Sequence, residues 1–428
     1  MNRWFPFKGT ARRNLLSFCL GAGLNDAGEE MYAPYLPLFA ATFLHATPEQ
    51  YGLIEGLAES LNRALRLVTG AISDRIGRKP PVIIGYILIA ASRLGLPLAT
   101  GWAGLIPFRA LRQVGRSMRD PAREASIAES VPPEQRGKAF GLLNSLDTVG
   151  AVLGPVLGFL LLSLLSFGTA RMGLDTLSAL FSKSPGTATA IPQFTSWAYH
   201  RLFLFAAIPT FLSAIAILFL LKETRAAALP GAKPSGGFRA GLRLYAESRP
   251  LMLITAGNAI LAVGAAPVSM ILLYAYAVLG ATPAQGMVLF ISYSLSMFLS
   301  SYPAGFITDH IGRRRALALG DLLAFASIGL VPFIHTPLLV CFPLVLHGAF
   351  ESLWIASRRA VVSDLAPPEA RAQALGTFST VYGFASFLSP ILLGFLWHRV
   401  SPLAGFGTAA VLCLVSLAFL AITRPRPT

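Results

Sequence analysis

Asp26, Glu29 and Glu30, Glu55, Glu59, Arg63 and Arg66, Arg93, Arg109, Arg112 and Arg116, and Asp147 all fall inside stretches that are otherwise apolar. Six are acidic and six basic, so the set can neutralise itself. An unpaired charge at the centre of a bilayer costs at least ~2.5–3.5 kcal/mol on insertion scales, so such groups must pair or line water. Helical spacing assigns some partners. Glu55 and Glu59 share a face, Glu59 and Arg63 form an i,i+4 pair, and Arg109, Arg112 and Arg116 make one stripe. A carboxylate beside an arginine holds its proton weakly, and one stranded among apolar groups holds it firmly. A helix movement that makes or breaks such a pair therefore loads and unloads a proton. A permanently paired structural network is the alternative.

The later part of the chain carries less charge. His347 and Glu351 stand at i,i+4, and Asp321 lies towards the end of another apolar stretch. Asn258, Tyr274, Tyr276, Tyr293, Trp354 and Tyr382 could surround the pair as a polar-aromatic wall suited to amphipathic or aromatic cargo. Each aromatic could equally be core packing or an interfacial anchor. Asn25, Tyr32, Asn62, Arg63 and Arg66 are the corresponding candidates for a substrate cavity in the earlier part. Arg358 and Arg359 read as topology or latch residues near a helix end.

These residues need a membrane scaffold. Of 428 residues, 54% are hydrophobic and only 13% charged, and the mean hydropathy is +0.62. Such a surface suits lipid rather than water. Apolar runs predict helical spans at 14–43, 50–72, 81–101, 104–123, 138–165, 201–221, 250–279, 284–307, 316–334, 338–362, 373–397 and 403–422. Threading these twelve from an inside N-terminus puts 21 Lys and Arg on one side and only Arg171, Lys183, Arg201 and Arg399 on the other. The positive-inside bias then places both termini in the cytoplasm, as expected for a multi-pass protein of a bacterial inner membrane. It also accounts for the net charge of +15 without nucleic acid.

The basic start followed by apolar sequence resembles a signal peptide, but the run is too long and too charged, so it reads as a retained first span. Trp4, Phe5 and Phe7 beside Lys8 and Arg12 suit an interfacial anchor. The Ser/Thr/Gly/Pro-rich segment 166–199 could carry a surface helix over Met172 to Phe181 or be a plain loop. Cys19, Cys341 and Cys413 sit in apolar runs and read as core residues, and no spacing suggests a metal site. There is no Walker A sequence and no dinucleotide fingerprint, so neither ATP-driven transport on this chain, nor an enzyme, nor a bound cofactor is expected.

An internal repeat organises the chain. Gly70-Ala-Ile-Ser-Asp74-Arg75-Ile-Gly77-Arg78-Lys79 recurs as Gly305-Phe-Ile-Thr-Asp309-His-Ile-Gly312-Arg313-Arg314, 235 positions on. Pro132-Pro133-Glu134-Gln-Arg136 recurs as Pro367-Pro368-Glu369-Ala-Arg371 at the same displacement. This predicts an all-α protein of two six-helix bundles, 1–221 and 250–428, joined by a cytoplasmic linker at 222–249. Asp74, Arg75, Gly77 and Arg78, with Asp309, Gly312 and Arg313, could form a latch that closes one side of the protein. A topology signal without a gating role is the alternative. Gly150, Gly154 and Gly158 make a smooth helix face, which Pro155 bends.

On these residues the chain resembles the major facilitator superfamily over nearly its whole length. Asp74 to Lys79 is similar to that superfamily's loop 2–3 signature, and Arg109 with Gly115 to its helix 4 signature. Gly141, Gly150, Gly154-Pro155 and Gly158 are similar to its antiporter signature, with Phe159 where a last glycine is expected. Asn25-Asp26 with Glu30-Met31, Gly52 to Glu59 and Val131 to Gly137 resemble a bacterial efflux-type branch. The resemblance implies two halves related by an axis along the membrane normal, with the site between them near the midplane. It also implies a monomeric secondary transporter exporting a small organic molecule in exchange for protons. Asp26 or Glu30, with Glu59 nearby, would carry the proton, and Arg112 or Arg109 would expel it. Import or facilitated passage of a charged metabolite is the alternative; a non-transporting receptor or an intramembrane enzyme is a more distant one.

Overall fold

The computed structural model describes residues 9–132, 135–167, 194–224, 243–367 and 370–422. Among these the regular structure is helical. In chain order the helices are α1 (Gly9–Glu30), α2 (Leu36–Phe43), α3 (Pro48–Ile76), α4 (Lys79–Gly95), α5 (Leu105–Ser130), α6 (Arg136–Phe167) and α7 (Ser196–Leu220). They continue as α8 (Arg249–Gly264), α9 (Val268–Ala277), α10 (Pro283–Ile311), α11 (Arg313–Leu330), α12 (Cys341–Leu365), α13 (Arg371–Arg399) and α14 (Pro402–Ile422).

The chain is a multi-pass membrane protein. Nine spans among the described residues are long and apolar enough to cross a bilayer. Helices α1, α3 and α5 are also long, at 22, 29 and 26 residues, but they carry the charges singled out above. Two expected single spans are interrupted. The stretch 14–43 is broken into α1, a short 3-10 turn at Ala33–Tyr35 and α2, and 250–279 is broken between α8 and α9. Pro34 and Pro267 sit at these breaks, where a proline lacks the N–H that a continuous helix would need.

The 235-residue register reappears in backbone devices. Thr47 accepts the backbone N–H of Gln50 while the Gln50 side chain accepts that of Thr47, and Thr282 and Gln285 do the same. Each is a reciprocal cap that satisfies two N–H groups at the start of a long helix. Gly77 and Gly312 take left-handed φ values of 97° and 89°, reversing the chain between α3 and α4 and between α10 and α11. Pro155 and Pro390 lie inside α6 and α13 at the same displacement.

The chain divides into two compact units. One comprises residues 1–45, 64–229 and 282–287, and the other 46–63, 230–281 and 288–428. Helix α3 is therefore shared, with its first half belonging to the second unit. In the first unit α6 lies directly on α1. A Cβ at Gly150 would come within 2.8 Å of Ala27 N, one at Gly154 within 2.7 Å of Ala27 O, and one at Gly158 would run into Met31 O. Tyr35 Oη donates across the same contact to Pro155 O at 2.6 Å. In the second unit, Gly52 and Gly56 bring α3 against the Pro390 and Phe387 carbonyls of α13, and Gly394 of α13 meets Pro48. With no hydrophobic drive between helices in lipid, such close backbone approaches supply much of the packing.

Gly158→Leu should therefore lower the thermal unfolding temperature of the purified protein, through an overpacking cost of about 1–3 kcal/mol. Gly141→Leu should leave it nearly unchanged, because no heavy atom lies within 4 Å of a Cβ there. A thermal melt in detergent checks the pair, and equal shifts would show that the α1–α6 approach is not what the glycines provide.

Candidate functional site

The first unit is organised around Glu29. Its Oε2 lies 2.8 Å from Arg93 Nη2 and its Oε1 2.6 Å from Arg112 Nη2, while Tyr32 Oη donates to Oε1 at 3.2 Å. Arg93 is fully buried. Its Nη1 donates to Ala206 O at 2.8 Å and to Thr210 Oγ1, and its Nη2 to Asn25 O and Oδ1 at 3.2 and 3.3 Å. Both terminal nitrogens are thus bonded, while Nε has no hydrogen-bond partner; a buried guanidinium is costly unless its charge is paired and most of its donors are met. The space comes from Gly28, where a Cβ would stand 2.6 Å from Ala206 O and against Arg93 itself. Helices α1, α4, α5 and α7 thus meet at one charged centre, and the charge of Arg109 also reaches Glu29.

Sequence reasoning favoured Asp26 or Glu30 beside Arg112; the carboxylate found there is Glu29. Successive residues of a helix point about 100° apart, so adjacent acids on α1 face different neighbours. Glu30 feels Glu29, Asp26, Arg112 and Arg116, and its buried Oε2 has no hydrogen-bond partner. Asp26 accepts from Asn25 Nδ2 at 2.8 Å. It belongs to a second group with Asp147, Arg119 and Arg123. Arg119 is buried, pairs with Asp120 at 2.7 Å and lies 5.2 Å from the Tyr86 ring. Arg119, Asp120 and Arg123 extend the charge set beyond the twelve read from the sequence. Asn25 and Tyr32 are buried in the network and in packing against Phe203.

At the α3–α4 turn, Arg78 binds Glu129 at 2.7 Å and Asp74 at 2.6 Å. Glu223 accepts the backbone N–H of Arg78 at 2.6 Å and of Lys79 at 3.1 Å, capping the positive end of α4. Gly77 leaves room for that carboxylate, which a Cβ would approach to 2.9 Å. At the α10–α11 turn Arg313 pairs with Asp364, beside Gly312. Glu129 and Asp364 are again 235 residues apart. Sequence reasoning missed both acids, although their shared register was visible. Asp309 is exposed.

In the second unit Tyr293 donates to Glu351 Oε2 at 2.6 Å, and His347 Nε2 is 3.7 Å from Glu351 Oε1. Trp354 Nε1 donates to Asn258 Oδ1 at 3.0 Å, and its ring lies 4.6 Å from that of Tyr382. Arg358, read as a topology or latch residue, stacks on Trp354, with its guanidinium carbon 3.6 Å from the ring centroid. Tyr274 is separate from this group and packs on Trp397 and Phe406. Glu59 and Asn62 are half-buried on α3, and neither they nor Arg75 lack interactions. The side chains of Arg63, Arg66 and Arg359, the Trp4 to Phe7 anchor and the Met172 to Phe181 segment lie outside the described residues.

The sequence profile of the Major Facilitator Superfamily matches residues 18–276 and 251–428. The chain belongs to that superfamily. It is accordingly a secondary transporter working by alternating access, and not a catalytic enzyme. An MFS-type transporter of Methanocaldococcus jannaschii is 28% identical over 403 residues, covering 92% of this chain and 90% of the relative. The multidrug resistance protein MdtH of Salmonella paratyphi B is 37% identical over 113 residues, 26% of this chain and 28% of its own length. Among solved structures, an inward-facing, unoccupied bacterial homologue of the human lysosomal transporter Spinster superposes with a TM-score of 0.71 at 16% identity, covering 97% of this chain and 96% of that one. The nucleoside transporter NupG does so with 0.72 at 12% identity, covering 96% and 98%. These two likenesses concern the fold.

Removing Glu29 leaves Arg93 and Arg112 buried without their acid, so Glu29→Gln should cost about 3–5 kcal/mol. Glu30→Gln, at a carboxylate with an unbonded oxygen, should cost much less. Thermal melts of the two variants check the order. If Glu30→Gln is as damaging as Glu29→Gln, the ion-paired centre is not what holds the first unit together.

Proposed function

We propose that the protein exchanges protons for a small organic molecule and exports that molecule across a bacterial inner membrane. The observation that carries this reading is Glu29, bonded to Arg93 and Arg112, beside Glu30, whose Oε2 has no hydrogen-bond partner. A carboxylate with both oxygens on guanidinium groups is an anchor. Its neighbour on α1, near Arg112 and Arg116 but not bonded in the same way, is suited to take and release a proton as those cations approach or withdraw. Asp26 and Asp147, which share the field of Arg119 and Arg123, would relay it. Glu59 remains a candidate on α3.

In this reading α1, α3 and α5 join the nine apolar spans, giving twelve in two six-helix halves, 1–221 and 250–428, linked at 222–249. Both termini and the linker are cytoplasmic, as the distribution of Lys and Arg favours, and the working unit is a monomer. The paired ion bridges Arg78–Glu129 and Arg313–Asp364 act as latches, which form and break as the transporter alternates. Asn258, His347, Glu351, Trp354 and Tyr382 form part of the substrate wall. The partial likeness to a multidrug resistance protein supports export and the efflux-type branch.

Proteoliposomes test the coupling. Glu30→Gln should abolish uphill flux driven by a pH gradient while equilibrium counterflow persists, because the amide mimics the protonated acid. Asp26→Asn should weaken driven flux less severely, and Glu351→Gln should affect substrate exchange rather than coupling. If driven flux survives in both Glu30→Gln and Asp26→Asn, proton coupling through these α1 acids is excluded. Loss of coupling only in Glu351→Gln would move the pathway to the second unit.

A further inference from the structure

On α12, His347, Glu351, Trp354 and Arg358 follow one another at spacings of four, three and four residues, so they share one face. The Trp354 indole is fixed at its edge by the hydrogen bond to Asn258 Oδ1. That bond lies in the ring plane and blocks neither face, and Arg358 stacks over one of them. Its guanidinium carbon is 3.6 Å from the Trp354 centroid, 5.2 Å from that of Tyr382 and 5.9 Å from that of Phe378. Three aromatic rings therefore surround one cation, each within reach of a cation–π attraction. The geometry follows from helix direction, because a long side chain leans back over the residue four positions earlier.

We propose that this aromatic cage is a binding site for an organic cation with a planar or aryl face, and that Arg358 is its resident occupant, displaced when the ligand enters. The proposal rests on reading this wall as part of the substrate path and adds the chemical class of the cargo. The charges favour a cation. Glu351 lies three residues before Trp354 on the same face and is held by Tyr293 and His347. The ring faces add negative electrostatic potential. With the guanidinium withdrawn, the cage presents three π faces, and the Glu351 carboxylate, which feels the charge of Arg358, lies about one turn away on the same helix face. Incoming cation replaces resident cation, so the local charge is conserved, and neither state leaves Glu351 facing an uncompensated cage.

Arg358 has somewhere to go. It stands seven residues from the end of α12 at Leu365, about 10 Å along the axis. A flexible arginine can turn its head towards that end while its stem stays on apolar surface. On release of the ligand, the guanidinium returns to the cage and competes against rebinding. Arg358 thus lowers affinity and speeds unloading.

The test uses equilibrium binding of radiolabelled tetraphenylphosphonium to the purified full chain in detergent, with the isosteric anion tetraphenylborate as the charge control. Arg358→Gln and Arg358→Met should bind the cation roughly tenfold more tightly than the unsubstituted protein, as expected once the cage is uncontested. Arg358→Lys, which keeps a competing cation, should stay near the unsubstituted value. Trp354→Leu should weaken binding, and adding Arg358→Gln to it should bring no gain, because the two residues act through one contact. Size-exclusion profiles and helical circular dichroism establish that each variant is folded.

Weaker cation binding in Arg358→Gln and Arg358→Met, an equal gain in the Trp354→Leu background, a matching gain for tetraphenylborate, or no cation binding to any variant would each overturn the proposal. Tetraphenylborate bound by the unsubstituted protein and lost in Arg358→Gln would identify an anion site instead. The assay needs no gradient. Cage binding without proton-driven flux would sink the proposed function and leave the cage standing, and driven flux without cage binding would do the reverse.

Discussion

The pairing of Glu29 with Arg93 and Arg112 is the constraint on which the first unit depends. A guanidinium as deeply buried as Arg93 is retained in an apolar bundle because its charge is balanced and both terminal nitrogens are bonded, with only Nε left without a hydrogen-bond partner. Those bonds recruit the backbone of α7 at Ala206, the hydroxyl of Thr210, the side chain and carbonyl of Asn25 and the carboxylate of Glu29. The glycines then follow as a consequence. Gly28 makes room for the guanidinium, and the Gly150, Gly154 and Gly158 face allows α6 to close on the opposite flank of α1. Packing and electrostatics are thus one problem with one solution in this unit.

Across the 235-residue repeat the backbone devices are shared and the chemistry differs. Capping boxes, left-handed glycines, helix-internal prolines and the Arg–acid bridges at the turns recur at one displacement. These set where helices begin, bend and end. The interior does not recur in kind: Arg112, Arg116 and Arg123 correspond in register to His347, Glu351 and Arg358, and Glu29 corresponds to Gly264. One unit is therefore held by ion pairs, and the matching face of the other by hydrogen bonds and aromatic contact.

Much of this was legible in the sequence because it is periodic. The nine apolar spans, the repeat and the glycine face follow from regular spacing of residue types, and the turn glycines follow from the repeated motif. What was not legible depends on contacts between distant segments. Asp26, Glu29 and Glu30 are equivalent in composition, and only the rotation of α1 against α4 and α5 decides which one meets the arginines. Gly28 looked like one glycine among many until Arg93 was found against it. Arg119 and Asp120 lie near the end of an expected span, where charge is ordinary, yet Arg119 is buried against Tyr86. Glu223 follows α7, and nothing local links it to the Gly77 turn. The reciprocal caps at Thr47 and Thr282 were visible as repeated Thr-Pro-x-Gln sequence but were overlooked beside the charged motifs.

The contrast between the units bears on how charge can move through such a molecule. A carboxylate bonded to two guanidinium groups is costly to neutralise, since protonation would leave two buried cations facing one neutral acid. Change is easier at groups next to that centre, which feel the same cations without being fixed by them, as Glu30 does. On α12 the corresponding face carries its cation on a flexible stem over an aromatic ring. A cation–π contact is weaker than a buried ion pair, and the arginine stem is flexible. In the proposed mechanism the fixed pair suits a unit that keeps its architecture while a neighbouring acid exchanges its proton. The cation–π contact suits the wall proposed to accept and discharge a ligand.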